Sequence, residues 1–381
     1  MSKPTVVLTN LFIKNVTGSE LATLDYAKYF TARGWRVIIC CFQYGQPLSG
    51  EIPSNIKIIN ILEQPVPKVN ADLLWGHHWA IMTKLLADKN FSAKKIVYIS
   101  LSPYEVAERL PAYAGLLSKR LANSWETKMV RRQSGIQVFN NSVTPDFLAA
   151  NAAPGARLRK LAVVSNHDIL FKDAEFKKIL KSHGVATTFF GGHAGMKSIT
   201  PADLLKFDAV VSIGRTVQYA LVLGIPIFCY DRFGGPGYIT LDNWRANEKM
   251  NYSGRAQPAS SGNVNKLLIK KPDAKLIAHQ LINDYGAARM YAPELQKIAR
   301  KRYDLFRNMD KVLAGKLPDA RISSQIINDK YSGEIANIDE IIQKYNMVYK
   351  PAKLQNHMRI KREILRMLKQ ITSLFNTHQD N

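Results

Sequence analysis

The run Ser212-Ile213-Gly214-Arg215-Thr216 combines two hydroxyls, a glycine and a guanidinium. It follows a buried-strand pattern, Asp208 to Val211, and opens a helical one. Free amides at a helix start, beside an arginine fork, form a seat for a diphosphate. An ordinary surface cation is the alternative for Arg215; the strand-end position favours the ligand. Three further segments occupy comparable places. Phe190-Gly191-Gly192-His193-Ala194-Gly195 suits a backbone passing close to a ligand, or a simple βα turn. Tyr230 to Tyr238, with Gly234-Gly235-Pro236-Gly237, is too turn-rich for a linker and is expected to wall a cleft, with Asn251 to Arg255 closing another side. Thr17-Gly18-Ser19-Glu20 reads as a capping box, Thr17 as N-cap and Glu20 at N3, or as a helix start whose amides meet an anion or hydroxyl.

Asp72-Leu73-Leu74-Trp75-Gly76-His77-His78-Trp79 places paired histidines at a strand end. They suit contact with a phosphate or sugar hydroxyl, or proton transfer; two turn histidines beside aromatic packing are the alternative. Their spacing is not that of a metal pair, and no Cys/His metal spacing occurs elsewhere, so no metal is expected.

These segments need strands that end at a common edge. Thr5–Thr9, Arg36–Cys41, Ile56–Ile61, Ala71–Leu74, Lys95–Ser100 and Ile136–Phe139 read as strands, separated by helical stretches at Gly18–Ala32, Trp79–Asp88 and Gly115–Arg132. After a polar stretch, Asn151–Arg159, the alternation restarts with Leu161–Ser165, Ala186–Phe190, Asp208–Ser212 and Pro226–Asp231, and turns helical from Ala274. The pattern predicts an α/β protein of two doubly wound, Rossmann-like domains facing a cleft, residues 1–152 and 153–315, with a helical extension at 316–381. Within that extension, Lys350 to Phe375 sets Leu354, Met358, Leu365, Leu368, Ile371 and Phe375 along one stripe. Lys353, Arg359, Lys361, Arg362, Arg366 and Lys369 lie mostly outside it. Such a basic amphipathic helix is a membrane-surface element or a terminal helix packed on the body.

The chain of 381 residues is long enough for two domains, and 46% hydrophobic residues exclude a disordered chain. Cys40, Cys41 and Cys229 read as reduced thiols of a cytoplasmic protein, with no signal peptide and no spanning segment expected. The net charge of +23 calls for an anionic partner: nucleic acid, an anionic membrane face or a phosphorylated substrate.

In the order and spacing of these motifs the chain resembles the bacterial GT-B glycosyltransferases, family 4-like. The resemblance rests on Thr17 to Ala22, Phe30 to Val37, Asp72 to Trp79, and Asp208 to Asp231 with Gly224-Ile225-Pro226, and covers most of residues 1–310. Where that family carries a glutamate five residues before the glycine of Gly-x-Pro, this chain has Tyr219. Phe233 to Gly237 is similar to a lipopolysaccharide or capsule-type subgroup.

The resemblance implies transfer of a sugar from a nucleoside-diphosphate sugar to an envelope polysaccharide or lipid-linked acceptor, without metal or other cofactor. It implies donor contacts at Gly191, Gly192, His193, Ser212, Gly214, Arg215, Thr216, Tyr219, Gly234 and Gly235. Acceptor-side contacts fall at Thr17, Gly18, Ser19 and His78, with His77 as the cleft histidine touching the reacting sugar. No general base is named, and a retaining reaction needs none. The implied location is cytoplasmic, peripheral to the inner face of the cell membrane, where each Lys or Arg near an anionic leaflet contributes about 1 kcal/mol. Polyol-phosphate transfer or epimerisation on the same fold are the enzymatic alternatives. Binding of nucleic acid or another anionic polymer would use the charge, but no recognition motif for nucleic acid is present, so none is expected as a partner.

Overall fold

The computed structural model describes residues 3–132, 134–195, 197–232, 234–255 and 273–348. The basic stretch Lys350–Phe375, and Phe233 of the glycine-rich segment, lie outside the described residues.

Seven parallel strands form the first sheet: β1 (Thr5–Thr9), β2 (Arg36–Cys41), β3 (Lys57–Asn60), β4 (Val69–Gly76), β5 (Phe91–Ser100), β6 (Lys119–Ala122) and β7 (Ile136–Val138). Their order is β3-β2-β1-β4-β5-β6-β7. The chain therefore reverses direction across the sheet between β1 and β4, which opens a crevice beyond the carboxyl ends of those two strands. β1 is buried on both faces: Val7 joins one core, and Val6 and Leu8 join the other. This two-sided burial explains its uninterrupted apolar run.

The second sheet holds β8 (Lys160–Val164), β9 (Ala186–Phe190), β10 (Ala209–Ser212), β11 (Ile227–Asp231) and β12 (Gly234–Tyr238), ordered β9-β8-β10-β11-β12. The first four run parallel and β12 antiparallel. The switch point here is between β8 and β10. Val210 faces one core and Ala209 and Val211 the other.

Two elements depart from the sequence pattern. The stretch expected as one helix, Gly115–Arg132, contains strand β6 and only then the helix Trp125–Arg131, capped by the Ser124 side chain. The glycine-rich turn expected at 234–237 is strand β12. A Cβ on Gly235 would sit 1.8 Å from the Cys229 carbonyl oxygen, so pairing with β11 accounts for glycine at that position.

The chain changes cores twice. Val143 and Phe147 already pack in the second domain's core. Leu305, Met309, Val312 and Leu317 return to the first domain's core, and Ile327, Ile338 and Ile341 cover its other face. The two crossings lie side by side, joined by the bridge of Val143 to Asp304. By packing, then, the helix Leu305–Ala314 belongs with the first domain, where the sequence reading assigns it to the second. Among the described residues no helix is long and apolar enough to cross a membrane.

Candidate functional site

The helix Gly18–Ala32 starts at the β1 edge of the first crevice, and the helix Arg215–Leu223 starts at the β10 edge of the second. Neither start is capped by a side chain. In the first, Thr17 Oγ1 donates to Glu20 Oε2 at 2.6 Å instead of capping. Glu20 Oε1 accepts from the Lys14 and Asn15 amides at 2.9 and 2.7 Å, so its carboxylate braces the preceding loop. The expected capping box is therefore not formed. Burial pushes the Glu20 carboxyl up, against those hydrogen bonds. At the second start Gly214 adopts φ 62°, with its amide donated to the Tyr252 carbonyl at 2.8 Å. Ideal Cβ atoms on Gly18 and on Gly214 would each meet no atom of the described residues within 4 Å.

Two clefts meet at these helix starts. One, of about 240 Å3, lies mainly on the second domain. The other, of about 580 Å3, lies mainly on the first. Thr17, Gly18 and Arg215 line both.

Arg215 crosses between the domains. Its Nη2 lies 2.9 Å from Asp25 Oδ2 on the Gly18–Ala32 helix and 3.3 Å from the Ser142 carbonyl. Both charged side chains are about nine-tenths buried. Nε and Nη1 of the same guanidinium are buried without a hydrogen-bond partner among the described residues. Burial opposes the charge on Arg215, but Tyr219 and Asp25 outweigh it, and its pKa is raised. Burial likewise pushes the Asp25 carboxyl up, with Arg215 pulling it part of the way back.

The second-domain cleft gathers Gly191, Ser212, Arg215, Thr216 and Tyr219 of the predicted donor set. Ser212 Oγ is committed to the Val164 carbonyl at 2.7 Å. Tyr219, where the family that the sequence resembles carries a glutamate, stacks on Phe147 with ring centroids 4.1 Å apart, and the Arg215 guanidinium lies 5.9 Å from its ring. Gly214 lines the larger cleft instead. Gly192, His193, Gly234 and Gly235 line neither. His193 is turned outward onto Asp168, to which its Nδ1 and backbone amide are bonded. Gly191 is required by its φ of 86° and by the Ser165 carbonyl, 2.5 Å from where its Cβ would be.

Sequence reasoning missed a trio in this cleft: Ser165 and His167 after β8, and Asp231 at the end of β11. Asp231 is buried; its Oδ2 lies 2.8 Å from His167 Nδ1 and its Oδ1 accepts from Ser165 Oγ at 3.1 Å. With Nδ1–H held by the carboxylate, Nε2 is the ring nitrogen left for a ligand. The available signal was a histidine three residues past a strand end, weaker than the one that singled out His77, which follows its strand directly.

The first-domain cleft gathers Thr17, Gly18, Ser19 and His78, joined by Asn251. His78 sits at φ 61°, a left-handed conformation uncommon for a side chain of its size. Its Nδ1 accepts from the Leu11 amide at 3.1 Å, which places the ring proton on Nε2, 3.3 Å from Glu108 Oε1. Glu108 is buried; burial raises its pKa, but His78, His77 and the Leu101 amide outweigh that and the net direction is down. His77 does not line the cleft. It is 1% exposed, its Nδ1 lies 3.1 Å from the Ile99 carbonyl, and its Nε2 is buried without a partner among the described residues. Burial lowers its pKa to about 4, so the ring is neutral near pH 7. Glu20, Glu105 and Glu108 give this cleft an acidic lining, with Lys344 and Arg215 as its cations. Among the described residues no group of three or more His, Cys, Asp or Glu is placed to hold a metal ion.

No family model matches the chain, and no curated protein matches it by sequence. Solved structures match by shape. HepE of Anabaena, solved in complex with UDP-glucose, superposes with a TM-score of 0.51 at 13% identity, covering 81% of this chain and 99% of that one. A glycosyltransferase from Rickettsia africae gives 0.51 at 14% identity, covering 82% and 98%. TarM gives 0.51 at 10% identity, covering 82% and 98%. The fold is therefore GT-B, two Rossmann-like domains across a cleft, and the convergence of Gly18 and Arg215 lies in that cleft.

Proposed function

We propose that the chain is a glycosyltransferase that moves a sugar from a nucleoside diphosphate to an envelope polysaccharide or lipid-linked acceptor, without a metal ion. One observation carries this reading. A nine-tenths buried guanidinium, with Nε and Nη1 unpartnered among the described residues, lines both clefts together with the uncapped start of the Gly18–Ala32 helix. A departing nucleoside diphosphate accumulates negative charge, and fixed donors aimed at it lower the barrier electrostatically. The Arg215 guanidinium and the first-turn amides supply that charge compensation from protein groups. The UDP-glucose held by HepE makes uridine nucleotides the first donors to try.

The acidic lining around His78 suits a sugar hydroxyl as the reacting end of the acceptor, since a phosphate there would face Glu20, Glu105 and Glu108. Lys344 and Tyr345 line the same cleft, and the basic stretch beginning at Lys350 follows them in sequence. Attachment of that stretch to an anionic leaflet would bring the acceptor cleft to the membrane, consistent with a lipopolysaccharide- or capsule-type role at its inner face.

Thermal stabilisation by a panel of nucleoside diphosphates and their sugars tests the donor. A ligand at 100 times its Kd adds about 2.7 kcal/mol. Stabilisation by one nucleotide class, lost in Arg215→Ala, is expected; no response to any of the panel refutes the reading. For the membrane, a chain ending at residue 349 is expected to sediment less with anionic vesicles while responding equally to nucleotide.

A further inference from the structure

A basic concavity lies apart from both clefts. A pocket of about 540 Å3 opens beside the two interdomain crossings and shares no lining residue with either cleft. Its lining includes Arg245, Lys301, Arg302 and Lys311, with Trp244 and Asn140, and among the described residues no carboxylate. The cations come from separate elements: Arg245 from the helix Trp244–Lys249, Lys301 and Arg302 from the last turn of Tyr285–Arg302, and Lys311 from Leu305–Ala314.

Arg302 is accounted for structurally. It is paired with Glu248, whose carboxylate also accepts from Tyr303 Oη at 2.6 Å. The guanidinium carbons of Arg245 and Arg302 lie 5.2 and 5.8 Å from the Trp244 ring centroid, so the indole fixes both. Arg245, Lys301 and Lys311 have no ion-pair partner among the described residues. A helix C-terminus explains basic residues at 301, 302 and 311 through the dipole, but not Arg245, which stands in the first turn of its helix. Like charges gathered around one concavity repel, and a bound anion relieves that repulsion.

We propose that this pocket binds a phosphate-bearing anion, of the kind presented by a phospholipid headgroup or a free phosphomonoester. It does not rest on the donor reading: the groups are different and the site is separate. Because Asn140 comes from the first crossing and Lys311 from the helix after the second, the anion would contact chain on both sides of the interdomain junction.

The full-length protein is titrated with glycerol 1-phosphate by calorimetry, and separately sedimented with phosphatidylcholine vesicles containing phosphatidylglycerol. Lys301→Glu/Lys311→Glu is compared with Lys178→Glu/Lys181→Glu, the same charge change on exposed lysines outside the pocket. The pocket variant is expected to lose about tenfold or more in affinity in at least one arm, the control about twofold or less. Loss with glycerol 1-phosphate supports a free phosphate as ligand; loss confined to vesicles supports the headgroup. Absence of binding to both probes, or equal losses in the two variants, overturns the proposal. Arg245→Glu serves as the second pocket variant should the double substitution not fold, and an unchanged nucleotide response in each variant separates this site from the donor cleft.

Discussion

Asp25 Oδ2 and Arg215 Nη2 form a buried ion pair, 2.9 Å apart, that ties the first helix of one domain to the helix Arg215–Leu223 of the other. Nη2 of that guanidinium is spent on Asp25, and Nε and Nη1, buried and without a partner among the described residues, are the atoms that the proposed function assigns to a ligand. Removing one partner of a buried pair leaves the other charge uncompensated, at a cost of about 3–5 kcal/mol. Asp25→Ala is therefore expected to lower the unfolding free energy by about that much. The double variant Asp25→Ala/Arg215→Met is expected to lose less than the sum of the single ones. Additive losses in denaturant titrations would show that the pair does not couple the domains. Arg215→Ala is also expected to weaken nucleotide binding about 100-fold, the value of a charge-assisted contact to phosphate.

Two glycines separate ligand space from packing. Gly18 opens the first helix, and its ideal Cβ meets no atom of the described residues within 4 Å. Gly18→Ala is expected to stabilise the free protein by about 0.4–1 kcal/mol through the unfolded chain, while weakening the ligand that occupies the space. Gly235→Ala is expected to do the reverse, destabilising the fold because its Cβ would meet the Cys229 carbonyl at 1.8 Å, and leaving nucleotide affinity of the folded protein unchanged. Calorimetry of both variants checks the pair; a weakened ligand in Gly235→Ala alone would return the glycine-rich strand to the donor site.

His77 makes stability depend on acid. Burial lowers its pKa to about 4, against 6.5 for an ordinary histidine. Between those values the unfolded chain binds a proton that the folded one does not, so stability is full above about pH 6.5 and falls as pH drops toward 4. The loss is on the order of 3 kcal/mol over that window. His77→Asn, which keeps a donor for the Ile99 carbonyl, is expected to flatten this part of the pH–stability curve. An unchanged slope would mean that other groups set it.

Strands β1 and β2 lie where their apolar, β-branched runs place them, because two-sided burial in a parallel sheet leaves an unbroken signal. Strand β6 was not legible: it begins Lys119-Arg120, only Leu121 and Ala122 are buried, and four residues carry no period. Strand β12 is glycine and proline by sequence and a strand only through its pairing with β11. Arg215, Gly18 and His78 were readable as cleft residues because each stands directly after a strand or at a helix start. Asp25 was not, because an aspartate in mid-helix looks solvated until the second domain covers it.

His167 and Asp231 give the sharpest test of the donor side, because they were found by geometry alone. The carboxylate of Asp231 is buried and accepts from Ser165 Oγ and the Arg232 amide as well as facing His167 Nδ1, so its loss would reorient the histidine without opening the cleft directly. A ring that touches the donor and a carboxylate that only orients it differ kinetically. His167→Ala removes the contact itself and is expected to lower kcat/KM by about 10–100-fold. Asp231→Asn keeps the shape, gives up the charge on the ring, and is expected to cost less than His167→Ala. In the His167→Ala background, Asp231→Asn is expected to add little, since groups acting as one unit are not additive. Independent, multiplying effects on sugar transfer would mean that Asp231 reaches the substrate by itself, and the histidine would then be a neighbour of the site and not its ligand.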